Sequence, residues 1–140
     1  MQANTLNTST EDLGKLVIRS ALAILVLLHG ISKLTGGIDG ITGMVTNAGL
    51  PAVFAYGVYI GEVVAPLLVL IGLWTRAAAA VMVVNMVVAI MLAHIPDITQ
   101  MNKMGGWALE LQGMFLFGAI AVALLGAGRY SVGGANGKWN

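Results

Sequence analysis

Four apolar stretches, each of about 20 residues, take up most of this 140-residue chain. At ~1.5 Å of rise per residue each is long enough to cross ~30 Å of hydrocarbon. They run at about 13–34, 52–73, 76–95 and 107–127. None alternates polar with apolar as a barrel strand would, so in lipid their backbone groups are satisfied only as helices. Composition closes off the soluble alternative. Apolar residues make up 58% of the chain and charged ones 9%, whereas soluble domains carry roughly 25% charged residues. A chain this small has too little interior to hide so much apolar surface. The expected fold is an all-α integral membrane protein, a four-transmembrane-helix antiparallel bundle.

The connectors fit that reading. Residues 1–12 are polar with no positive run ahead of an apolar core, so they are expected to remain as an N-terminal tail rather than open a secretory signal. Residues 35–51 are Gly-rich and long enough to lie on the surface. Between 73 and 76 there is barely a turn, which makes the second and third spans a tight hairpin. Residues 96–106 hold Pro96, Asp97, Gly105 and Gly106, and 128–140 form a Gly-rich polar tail. Lys15, Arg19, Arg76, Arg129 and Lys138 fall toward one side, Lys33 and Lys103 toward the other. Positive charge favours the cytoplasm, so both termini are expected on the cytoplasmic side. Gly57-x-x-x-Gly61 and Ala77–Ala80 supply the small residues that close helix packing in lipid requires. Packing within the bundle is the favoured use of that spacing over a dimer seam.

Several function classes drop out. A formal charge of +1 with no basic patch excludes nucleic acid as a partner. The absence of cysteine removes disulfides, thiolate metal sites and thiol relays. The eight methionines read as flexible packing rather than a copper path. Trp74, Trp107 and Tyr130 lie where interfacial anchors belong. No nucleotide-binding, nucleophile-elbow or zincin motif is present.

Function concentrates where a residue is costly in lipid, roughly 2.5–3.5 kcal/mol for a charge near a span centre. The candidates are Arg19, His29, Lys33, Glu62, Asn85, His94 and Glu110. Counting along antiparallel spans puts Glu62 and Asn85 near the midplane, with Arg19 lower but within reach. Arg19, Glu62 and Asn85 are therefore expected to form a structural ion pair with a third hydrogen-bonding member. His29 and Lys33 share a helical stripe. With His94 and Glu110 at similar height, and Gln112 one turn deeper, they form a candidate cofactor-binding cluster. Such a group suits a quinone head group or a proton relay, imidazole being the usual carrier near neutral pH. The plainer account has Lys33 and Glu110 snorkelling to the interface and the histidines capping helix ends. No motif spacing supports a metal site, and no residue declares itself catalytic.

The ordered series Arg19, His29-Gly30-x-x-Lys33, Gly49-Leu50-Pro51 and Gly61-Glu62 resembles the DoxX family of small four-helix membrane proteins. So do Leu70-Ile71-Gly72-Leu73-x-Thr75-Arg76, Met86-x-x-Ala89 leading to His94, Glu110, and Gly126-x-Gly128-Arg129-Tyr130-Ser131. The resemblance spans 16–132. It implies a multi-pass protein of the bacterial cytoplasmic (inner) membrane, labelled an oxidoreductase by analogy with small subunits of a thiosulfate:quinone oxidoreductase. It implies quinone as the only candidate cofactor. Beyond the lipid bilayer, it implies a soluble protein partner or a homo-oligomer. Family tails often place an Asp after the Tyr-Ser pair, where this chain has Val132-Gly133-Gly134. Three readings follow: a quinone-associated redox subunit, a non-catalytic scaffold for a redox or stress-response partner, and, third, a small-solute or proton pathway.

Overall fold

In the computed structural model the backbone is described from Gln2 and the side chains from Thr8. Three helical stretches are long and apolar enough to cross a membrane: Thr8–Gly36 within a longer first helix, Ala52–Ile71, and Thr75–Ala93. A fourth apolar helix, Glu110–Leu125, is shorter at 16 residues. Each packs against the next and the fourth returns to the first, enclosing a core of Leu22, Val26, Val69, Met82, Phe115 and Val122. Leu28, Ile60, Val84, Phe117 and Leu124 point outward and are exposed, as a lipid-facing surface requires. Among the described residues there is no strand, only an isolated bridge between Met101 and Trp107.

Three segments differ from expectation, each for a local reason. The first helix runs back to Gln2, through residues expected as a polar tail. No proline interrupts it, and Asp12 is buried by an ion pair with Arg129 at 2.8 Å. The fourth helix starts at Glu110 rather than near 107 because side chains hold the preceding turn. Asn102 Oδ1 accepts the backbone N–H groups of Met104 and Gly106, both at 2.9 Å, and Trp107 Nε1 donates to Ile98 O at 2.8 Å. Such side-chain bonds compete with the helical ladder. Within 35–51, Asp39–Asn47 forms a short helix whose Val45, with Ile38 just ahead of it, packs on Ala55 and Val58.

The C-terminal tail is a cap on the hairpin. Gly72, in the left-handed region at φ 75, ends the second span, and its N–H and that of Leu73 both reach Leu68 O at 3.0 Å. The tail adds Val132 N–H to Ile71 O at 3.0 Å and Gly133 N–H to Gly72 O at 2.9 Å. Asn140 is buried and accepts from the Thr75 hydroxyl at 2.9 Å, while Arg76 donates to Leu124 O at 2.7 Å. A Cβ on Gly72 would run into Ser131 and come within 3.3 Å of the Arg19 guanidinium. Gly72→Ala is therefore expected to cost about 1–3 kcal/mol, from positive-φ strain and overpacking together. Unfolding in mixed micelles measures it, and an unchanged midpoint would show that the tail does not press on this turn.

Candidate functional site

The second span is irregular in a way that places Glu62. It begins as a 3-10 turn, Ala52–Tyr56, becomes α-helical, widens to a π turn at Ile60–Val64, and resumes as Ala65–Ile71. Pro66 accounts for the π turn: it has no N–H, and its ring crowds the carbonyl four residues earlier, that of Glu62. Single π turns inside α-helices often mark functional sites. The first helix lays Gly30 against that carbonyl. A Cβ there would overlap Glu62 O and stand 2.8 Å from Val63 Cγ2. On the other side Gly61 admits Asn85, whose Oδ1 lies 2.5 Å from where a Cβ would be. Gly57 faces open space, so only the second residue of the small-x-x-x-small pair makes a close approach.

These two approaches assemble a polar group in an apolar bundle. Lys33 stands one turn beyond Gly30, and helical side chains lean back toward the N-terminus. Its Nζ donates to Glu62 Oε2. Asn85 Nδ2 donates to Glu62 Oε1 at 3.4 Å, and Tyr59 OH donates to Lys33 O at 3.3 Å. Glu62 is 7% exposed.

The expected Arg19–Glu62 pair does not form. Gly30 is the residue level with Glu62, and Arg19 lies three turns earlier, roughly 16 Å along the helix. Arg19 is 2% exposed and serves the end of the second span. Its Nη1 donates to Val69 O at 2.8 Å and Leu70 O at 2.5 Å, and its Nη2 to Tyr130 O. Two of these are last-turn carbonyls, where the helical ladder runs out of N–H donors; among the described residues Val69 O has besides only the Gly72 N–H at 3.2 Å.

Of the expected cluster, His29, Lys33 and His94 converge and Glu110 does not. The three line a cavity of about 180 Å³ with Glu62, Gln112 and Phe115. His29 meets the Phe115 ring edge-on at 5.6 Å between centroids. His94 Nδ1 lies 3.0 Å from Asp97 Oδ2, and its Nε2 lies 3.4 Å from Gln112 Nε2. Glu110 is exposed and turns back onto Gly106. Two residues apart on one helix, Glu110 and Gln112 face nearly opposite ways, and Gln112 is the one facing His94.

A second, larger space of about 600 Å³ opens between the short helix and the second and third spans. Ile41, Val45, Phe54, Val58, Val84 and Val88 make it apolar, and Lys33, Glu62, Asn85 and His94 give it a polar end. The Lys33–Glu62 pair thus stands between groove and chamber. Among the described residues no group of three His, Asp or Glu side chains is spaced to hold a metal ion. What the arrangement offers is hydrogen-bond donors and a carboxylate at the inner end of an apolar slot, a form suited to an amphipathic molecule. Sequence reasoning had Asn85 beside Glu62, as found, but paired Glu62 with Arg19 rather than with Lys33. The available signal was a glycine one turn before Lys33 and another next to Glu62, with Pro66 four residues after Glu62.

No curated protein and no solved structure matches the chain. The sequence profile of the DoxX family matches residues 14–95, a stretch that contains Arg19, Gly30, Lys33, Glu62, Asn85 and His94. That is more than half of the chain, and on that match this membrane protein belongs to the DoxX family.

Proposed function

We propose that the chain is a quinone-associated redox subunit of the bacterial cytoplasmic membrane. The observation that carries this reading is the apolar groove ending on Lys33, Glu62, Asn85 and His94. A quinone is a flat ring with two carbonyl acceptors on an isoprenoid tail. The tail fits among Val58, Val84 and Val88, and a ring carbonyl accepts from Asn85 or His94 at the groove's polar end. In that role the chain holds the quinone while a partner protein exchanges electrons with it. The topology proposed with it has four spans. The fourth helix contributes Phe115, Ala119 and Val122 to the core, which supports its crossing beside the others. The end carrying Lys15, Arg76, Arg129 and Lys138 then faces the cytoplasm.

Quinone content and binding test the reading. Protein purified in mild detergent is extracted for quinone, and a short-chain quinone is titrated against wild type and Asn85→Leu/His94→Ala. Loss of the head-group donors is expected to weaken binding about tenfold or more, since one to two hydrogen bonds carry ~1.4 kcal/mol or more. A folded wild type that carries no quinone and binds none would end the reading and shift weight to the scaffold.

A further inference from the structure

The small chamber is one-sided, with its polar groups gathered among apolar walls. Its roughly 180 Å³ accommodates water, which takes a share of ~30 Å³ in the liquid and needs two to four polar partners. The polar side chains that line the chamber with Glu62 are His29 and Lys33 from the first helix, His94 from the end of the third and Gln112 from the fourth, and Asn85 reaches Glu62 from the groove side. Toward the end that carries residues 35–51 and 94–109, here the loop face, the polar line continues. His94 Nδ1 meets Asp97 at 3.0 Å, and the Asp97 side chain is 45% exposed.

In the opposite direction no buried polar line continues among the described residues. Val26, Met86 and Phe115 line the chamber, and the core beyond them is Leu22, Ala23, Val69, Ala79, Met82 and Val122. Among the described residues the next buried polar side chains are Thr75, held by Asn140, and Arg19, its guanidinium bonded to three carbonyls. A fixed buried cation there also repels a proton, as an arginine does in water-selective pores.

We infer that Glu62 exchanges protons with one face of the membrane alone, the loop face, through the chamber and the His94–Asp97 pair. This deepens the quinone reading and rests on it for the use made of the proton, though not for the path. Imidazole carries the step without change of charge. Its Nδ1 faces the Asp97 carboxylate and its Nε2 the Gln112 amide nitrogen, which suits a ring with its hydrogen on Nδ1. A proton leaving Glu62 through the chamber is taken at Nε2 while the Nδ1 proton passes to Asp97, and uptake by Glu62 runs the same steps in reverse. Lys33 Nζ donates to the same Glu62 carboxylate. Under the proposed topology the loop face is the non-cytoplasmic one, so protons given up by a quinol in the groove leave on that side.

The test follows Glu62 directly, without quinone. Protein is inserted in one orientation into vesicles, the pH inside and outside is set independently, and the infrared stretch of the protonated carboxyl is recorded. Glu62→Gln assigns the band. Should that variant not fold, ¹³C-glutamate labelling of a Glu11→Gln/Glu110→Gln variant leaves Glu62 as the single labelled carboxyl, since the chain has glutamate only at these three positions. The band is expected to follow the pH at the loop face and ignore the other, and His94→Ala is expected to slow its response about 100-fold or more. A band that answers the tail-side pH, both sides or neither overturns the inference. Correct sidedness in a protein that binds no quinone would overturn the quinone reading instead and leave the path standing.

Discussion

Glu62→Ala is expected to destabilise the protein by about 3–5 kcal/mol, and Lys33→Met by a similar amount, because either leaves one buried charge without its partner. The double variant Lys33→Met/Glu62→Met is expected to recover most of that loss. Removing both charges also removes their desolvation, and two methionines fill comparable volume beside Gly30 and Gly61. Glu62 is 7% exposed and the Lys33 side chain 26%, so solvent does little to rescue either single variant. Reversible unfolding in mixed micelles gives the three values. A double variant as unstable as the singles would mean that the pair is held by more than mutual charge, with Asn85 or the backbone as the missing term. The same protein separates folding from function. It is expected to be abundant in membranes yet lack both the infrared band and quinone binding.

The second large effect is at Arg19. Arg19→Ala removes a guanidinium bonded to Val69 O, Leu70 O and Tyr130 O and is expected to cost about 3–5 kcal/mol, charged hydrogen bonds being worth ~1.5–3 kcal/mol each before desolvation is counted. Arg19→Lys is expected to recover less than half, since an ammonium cannot span acceptors that a planar fork reaches at once. Combined with Glu62→Gln, the loss is expected to add within about 0.5 kcal/mol, as for residues without shared partners. A coupling well above that would mean that Arg19 and Glu62 sense one another after all.

The helices were legible because lipid imposes a simple demand, continuous apolar length, which three of them meet and a shorter fourth approaches. The ends were less legible. The turn before Glu110 is decided by Asn102 and Trp107, whose bonds depend on where the chain has already gone. At the site, residue types and the Asn85–Glu62 contact could be read, and the charged partner of Glu62 could not. Counting depth from span ends treats every helix as straight and flush with its neighbours, and that put Arg19 near Glu62. Registration is set by contact, Gly30 on the carbonyl opposite Pro66, and two missing Cβ atoms are invisible to a count of charges. Glu110 failed for phase, since height alone does not say which way a side chain faces. The tail's role was hidden because Gly-rich polar sequence looks alike whether it is loose or pinned by Asn140.

That tail has a consequence in time. Arg19 leaves the ribosome ahead of the other described helices, whereas one of its acceptors, Tyr130 O, follows the fourth helix. Synthesis therefore delivers a buried cation more than a hundred residues before the last group that satisfies it. During that interval the guanidinium can hold only the end of the second span, and the hairpin behind it has no cap. The order of manufacture makes the first three helices a half-finished object whose least comfortable residue is already inside. The closing of the tail over the hairpin, rather than the insertion of any single helix, completes it.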